Sequence, residues 1–299
     1  TFDCIEVNEE DIAWATENWT YENGNIDEGV EFSVVCAPEG YTYVPNNNFE
    51  QALVDLGYDS AVDDFVLTEN ISSVTSLDVN GEGISDLTGI EDFTALTSLN
   101  CENNQLTSLD VSNNISLVDL QCPNNQLTSL DVSSNTALTE LRCYSNQLTS
   151  LNVSSNTALS TLRCNENSFT SLDLSSNTVL TGLYCQQNQL TILDVSSNTS
   201  LIDLQCENNQ LTSLDVSNNT ALTILTCNNN QLTSLDVSNN TALTNLDCSS
   251  NQLIYLNMKN GVTDQLAEFD ATENTFDCIE VNEEDIAWAT ENWTYENGN

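Results

Sequence analysis

The 299-residue chain contains no histidine, and its three basic residues, Arg142, Arg163 and Lys259, stand against 46 acidic ones. Without imidazole it lacks the commonest general acid–base group and metal ligand at neutral pH, and it has no glycine-rich phosphate loop. A formal net charge of -43 repels nucleic acid and anionic membrane and keeps long polymers apart. No stretch approaches a transmembrane span, and no signal peptide or lipid anchor is visible; such signals, if present, lie outside this part of the chain. The expectation is a non-enzyme that requires no cofactor, binds no nucleic acid and does not insert into a membrane.

What the chain has instead is repetition. Residues 1–25 (TFDCIEVNEEDIAWATENWTYENGN) recur letter for letter as 275–299, as expected of a window cut from a tandem array. Inside that long period lies a shorter one of 21 residues. Cys101, Cys122, Cys143, Cys164, Cys185, Cys206, Cys227 and Cys248 share one register, and Asn and Leu columns keep step with them. Such a period is the mark of a solenoid, in which each unit buries its apolar face against its neighbours.

The phrase L-x-x-L-x-C-x-x-N-x-L, as in Leu96, Leu99, Cys101, Asn104 and Leu106, resembles the leucine-rich repeat. A second half-phrase, Leu106, Leu109, Val111 and Asn114, puts extended LDVS on the other side of each coil. The resemblance runs from about residue 74 to 258. Residues 74–101 look like the longer internalin-type repeat, and the Cys-bearing form is similar to repeats of secreted and surface proteins of Bacteroidetes-type bacteria. The resemblance implies an extracellular or cell-surface location on a bacterium. The expected fold is mostly β, a leucine-rich-repeat β-solenoid of 21-residue coils with a short helical N-terminal cap and an α/β C-terminal cap.

The domain boundaries follow from where the period starts and stops. Residues 46–73 form the N-terminal cap, in which Phe49, Ala52, Leu53 and Leu56 fall at helical spacing between Asn46 and a stop at Gly57. The solenoid covers 74–263, and 264–299 begin a C-terminal cap with strand-like CIEV and a helix in DIAWATENW. Residues 1–36 are then the C-terminal cap of a preceding module, joined by a linker at 37–45. Cys4 and Cys36 bracket that cap and are expected to form a disulfide, which favours an oxidising setting. The ladder cysteines, pointing inward in a parallel column, lack the dihedrals for bridging and are expected as free, buried thiols.

Two surfaces are candidate sites. On the LDVS side, Asp110, Asp131, Asp173, Asp194, Asp215 and Asp236 form a column; neighbours about 4.8 Å apart repel, and Ca2+ suits stacked carboxylates. The competing reading is that each Asp accepts turn hydrogen bonds from the Ser or Asn that follows. On the other side the residue before each Cys varies, and Arg142, Tyr144, Arg163 and Tyr184 form the one basic and aromatic patch, a composition enriched at binding hot spots. The alternative is local neutralisation by Glu140 and Glu166. The functional expectation is a structural module of a head-to-tail extracellular fibre or adhesin, with further copies in tandem and lateral self-association as its contacts. The alternative is a secreted recognition module for one protein or glycan.

Overall fold

The computed structural model describes residues 4–8, 11–21, 23, 26, 31–33 and 36–293. Near its start, β1 (Cys4–Glu6) is followed by helix α1 (Ile12–Asn18) and by β2 (Glu31–Ser33), which pairs in parallel with β1. The Cys4–Cys36 disulfide closes this unit.

A hairpin-like pair, β3 (Tyr41–Tyr43) and β4 (Phe65–Leu67), runs antiparallel and encloses helix α2 (Asn47–Asp55). The helix starts where the sequence says it should. The Asn46 side chain accepts a hydrogen bond from the Phe49 N–H at 3.0 Å, satisfying one of the donors a helix start leaves open. It ends before Gly57, whose φ of +80° is costly for any residue with a side chain. Phe49 and Leu53 are fully buried, and the Phe49 ring lies 6.3 Å from that of Phe93 on the first coil. The helix therefore covers the raw N-terminal end of the stack. A single turn, α3 (Thr68–Ile71), leads into the solenoid.

The residue before each inward Leu and the residue after it make three-residue strands: β5 (Ser76–Asp78), β6 (Ser98–Asn100), β7 (Asp119–Gln121), β8 (Glu140–Arg142), β9 (Thr161–Arg163), β10 (Gly182–Tyr184), β11 (Asp203–Gln205) and β12 (Ile224–Thr226). With β14 (Asn245–Asp247) and β16 (Glu268–Asp270) they build one ten-stranded parallel sheet, each strand paired to the next coil. Interleaved with them, β13 (Ser234–Asp236), β15 (Tyr255–Asn257) and β17 (Cys278–Glu280) form a second, three-stranded parallel sheet on the LDVS side.

The columns of Leu, Val and Cys make one continuous core, with every ladder Cys at 0% exposure. All eight ladder cysteines are free thiols, and burial raises each of them above the usual thiol range.

Two Asn ladders satisfy the polar backbone inside this core. Asn209 is typical of the first. Its Nδ2 donates to the carbonyls of Cys206 on its own coil and Cys185 on the coil before, and its Oδ1 accepts from the Leu190 N–H. In the second ladder Asn177 donates to the carbonyls of Val153 and Asn156. Each Asn thus ties two coils together. The turn two residues beyond each Cys is left-handed: Asn103, Asn124, Ser145, Glu166, Gln187, Asn208, Asn229 and Ser250 have φ between 48° and 56°.

The regular core continues past the boundary expected at residue 263. β16 joins the ten-stranded sheet, Ala271 takes the place of the ladder Cys, and Asn274 donates to Cys248 and Ala271 carbonyls as an ordinary ladder Asn. The last coil is two residues longer than the regular 21-residue coils, so the 21-residue frame misses it although the geometry persists.

On this coil sits the second copy of the repeated segment. β17 pairs with β15, and helix α4 (Ile286–Asn292) ends at Trp293, whose ring lies 4.2 Å from Phe269. The sequence IAWATEN is helical in both copies, and Trp packs edge-on against Trp in each, Trp14 with Trp19 and Trp288 with Trp293. The remainder of the expected C-terminal cap, residues 294–299, lies outside the described residues.

Candidate functional site

In a strand whose central Leu points to the core, the two flanking side chains face outward. The ten-stranded sheet therefore displays two columns of coil-specific residues on a rigid surface. Strand pairing sets Arg142 beside Arg163 and Arg163 beside Tyr184, so the expected patch is brought together across β8, β9 and β10.

Its members are bound differently. The Arg142 guanidinium forms an ion pair with Glu140 at 2.7 Å and reaches Gln121 Oε1 at 3.3 Å. Burial pulls its pKa down, but the Glu140 hydrogen bond together with the charges of Glu140, Asp119 and Tyr144 outweighs this, and the net shift is upward. Arg163 has no ion pair among the described residues. The expected partner, Glu166, accepts instead from the Ser145 hydroxyl at 2.7 Å. The Arg163 guanidinium lies 4.1 Å from the centre of the Tyr184 ring, an attraction of about 0.5–1 kcal/mol at an exposed site, and its Nε is without a hydrogen-bond partner.

Tyr184 can lie flat because β10 begins with Gly182, where an added Cβ would stand 3.1 Å from the ring. The Tyr184 hydroxyl donates to Asp203 at 2.8 Å; burial and this bond raise its pKa. Tyr144, just past the ladder Cys of its coil, has its hydroxyl 3.5 Å from Glu102. The patch thus combines one committed arginine, one arginine free of carboxylates and two anchored rings.

Farther along the same face lies a hollow of about 680 Å³ lined by Gln205, Glu207, Thr226, Asp247, Glu268 and Asp270. Burial raises the Glu207 pKa. The sequence reading missed this acidic hollow, although the signal was there: Glu207, Asp247, Glu268 and Asp270 occupy variable columns on three of the last four coils.

The six aspartates line up along the LDVS side, one per coil except where Asn152 takes the position between Asp131 and Asp173. Asp110, Asp131, Asp173, Asp194, Asp215 and Asp236 each accept a bond from the N–H of the Ser two residues on, at 2.9–3.0 Å. These bonds, from the Ser hydroxyl as well as the N–H, lower the carboxylate pKa values. The structure therefore gives each Asp the turn-closing role. Among the described residues three acidic groups converge at a different place, Glu50, Asp59 and Asp63 in the N-terminal cap.

The buried ladder thiols are held protonated at neutral pH, Cys122 and Cys185 with pKa values of about 12, so they cannot serve as nucleophiles.

Comparison with known proteins agrees with this geometry. A family model described as the LVIVD repeat matches residues 184–205, about one coil. Internalin J of Listeria monocytogenes serotype 4b (strain F2365) is 41% identical over 72 residues, which are 24% of this chain and 8% of that protein. The solved functional domain of InlJ from Listeria monocytogenes, which includes a cysteine ladder, matches with a TM-score of 0.70 at 35% identity. That match covers 81% of this chain and 61% of that one. A leucine-rich-repeat protein of Leptospira interrogans shares the fold, with a TM-score of 0.62 at 24% identity over 71% of this chain and 58% of that one. The chain spans less than two thirds of the length of each of these relatives.

Proposed function

Because this chain is an internalin-like leucine-rich-repeat protein with a cysteine ladder, we propose that it acts as one module of a head-to-tail array outside a bacterial cell, combining extension with adhesion. The observation that carries this reading is how the two copies of the repeated segment are seated. The second copy closes the solenoid, with β17 paired to β15 and Trp293 against Phe269. In the first copy the equivalent strand β1 pairs with β2, and the disulfide follows. We read the two copies as parts of one cap, in which the repeated strand pairs both with a solenoid strand and with a β2-like strand. A cap of that kind at each module end, followed by the short linker at 37–45, gives a stiff tandem chain. The disulfide supports an oxidising, extracellular setting.

Electron microscopy of the native material tests this reading. Ten strands at about 4.8 Å give a solenoid section of about 45 Å, so filaments should show a repeat of one such section plus its caps. Isolated short rods would refute the array.

A second reading, a stand-alone recognition module for an acidic protein loop or a glycan, is favoured by Arg163. A guanidinium without a carboxylate partner on so acidic a chain is available to a ligand, and Tyr184 beneath it holds it in place. In an array, the same weak contact repeated along the chain yields avidity. Arg163→Ala with Arg142→Ala should abolish binding or bundling in native extracts; unchanged binding removes this face from the function.

A further inference from the structure

The N-terminal cap contains a carboxylate that the solenoid does not explain. Helix α2 turns Phe49 and Leu53 onto the first coil, and in the same turn Glu50 is carried fully inside, at 0% exposure. Its Oε1 accepts two backbone N–H groups from the loop between α2 and β4, from Asp63 at 2.8 Å and Phe65 at 3.1 Å. Its Oε2 is buried with no hydrogen-bond partner. Asp59, on the same loop, repeats the pattern: Oδ1 accepts from the Ser60 N–H at 2.8 Å, whereas Oδ2 is buried and unpartnered. One carboxylate oxygen from each of Glu50, Asp59 and Asp63 lies within 4.8 Å of the other two.

None of the three basic side chains balances this cluster. The chain has three basic residues; Arg142 is paired with Glu140, Lys259 with Glu280, and Arg163 lies on Tyr184. An ionised carboxylate taken out of water with an oxygen unpaired is strongly disfavoured, and two further carboxylates beside it worsen the balance. One carboxylate oxygen from each of the three residues lies close enough to the others to share a single divalent cation; calcium, which accepts six to eight oxygens in flexible geometry and gives up its waters more readily than magnesium, suits a carboxylate set carried on a loop.

We propose that Glu50, Asp59 and Asp63 form a calcium site that clamps the loop at 57–65 onto helix α2. Glu50 supplies the buried end of the site, Asp59 the half-buried wall, and Asp63, which is exposed, the open side where water completes the coordination. The aspartate column of the solenoid is a different surface, and its carboxylates are already engaged by serines.

The test uses the full chain stripped with a chelator and then titrated with Ca2+, read by calorimetry and by thermal melting. One Ca2+ per chain should bind, with a dissociation constant of about 0.1–1 mM as in extracellular modules, and the melting temperature should rise. Mg2+ at the same concentration should give a smaller rise. Asp59→Asn and Asp63→Asn, both outside the core, should each weaken Ca2+ binding at least about tenfold with the metal-free circular dichroism unchanged. Asp194→Asn and Asp215→Asn should have no effect. Glu50→Gln should remove the Ca2+-dependent rise, and if that chain does not fold, the two loop variants decide. The proposal is overturned if neither heat nor a melting shift appears at about 10 mM Ca2+, or if binding survives Asp59→Asn and Asp63→Asn together.

Discussion

Replacing Asn209 tests the logic of the inner ladder, because this one amide serves two coils. Its Nδ2 is 3.0 Å from the Cys185 carbonyl, 3.1 Å from that of Cys206 and 3.3 Å from that of Glu207, and its Oδ1 is 2.9 Å from the Leu190 nitrogen. The residue is 8% exposed, so water does not easily replace it. In Asn209→Ala the Leu190 N–H is left unsatisfied, at about 1–3 kcal/mol, and two N–H donations are lost at about 1 kcal/mol each. The expected loss is about 3–5 kcal/mol, large against the usual stability of a folded unit. Asn209→Asp keeps the acceptor for Leu190 but turns an oxygen toward three carbonyls and buries a charge, so it should cost more than Ala at pH 7.

Its sign with pH is also fixed. The buried carboxyl would have a raised pKa in the folded state, so the Asp variant should regain stability as pH falls through that value and the protonated carboxyl becomes a donor. Asn218, whose amide makes an exposed 3.3 Å bond to the Ser196 carbonyl, is the control; its Ala variant should cost under about 0.5 kcal/mol. Urea unfolding followed by circular dichroism gives these differences from the midpoint shift, and hydrogen exchange at the Leu190 amide reports the local break. An Asp variant as stable as the Ala variant at pH 7, or one indifferent to acid, would refute the reasoning.

Three further outcomes follow from the same geometry. In the folded 299-residue chain at pH 8 a thiol reagent should modify Cys278 alone, since it is the exposed free cysteine, and denaturation should release the eight buried ladder thiols; a second fast thiol in the folded state would contradict the ladder's burial. The Ser133 hydroxyl and N–H bond the Asp131 carboxylate and hold its pKa below the ordinary aspartate value; its folded pKa is the depressed one, so its contribution is complete above the unfolded value and is lost as pH falls through the folded value. Ser133→Ala should move the Asp131 titration seen by NMR upward, and an unmoved curve would remove the serine from the account. Gln187 holds a left-handed turn at φ 54°, a conformation that disfavours side chains, so Gln187→Gly should stabilise by about 0.5–1 kcal/mol in urea unfolding.

Much of the fold was readable because a 21-residue period fixes register directly: once Cys101 and Cys122 are equivalent, so are the Leu on either strand and the Asn that follows. The cap helix was readable for a local reason, the Asn46 start and Gly57 stop around an apolar stripe. What the period concealed lies where the coils stop being identical. The longer last coil breaks the frame at Ala271, yet backbone pairing does not require a constant step, and the sheet goes on. The left-handed turns carry Glu166 and Gln187 as well as Asn, so composition gives no warning of them. Arg163 and Tyr184 were placed correctly on one face, but their stacking depends on Gly182, one position in a column otherwise filled by larger residues. Glu50 was hidden because a helix reading that counts apolar spacing has no means of seeing a buried acid beside the stripe.

The inner ladder also gives the molecule a direction in time. The Leu190 N–H belongs to one coil, and the oxygen that satisfies it belongs to the next. Every coil is therefore left with the same open donor until its successor arrives, from Ile84, satisfied by Asn104, to Leu253, satisfied by Asn274. A chain emerging from its N-terminus, with helix α2 already in place as a foundation, would meet one identical docking task at each step. Such a chain can assemble coil by coil as it appears, with its growing tip never more than one coil from completion.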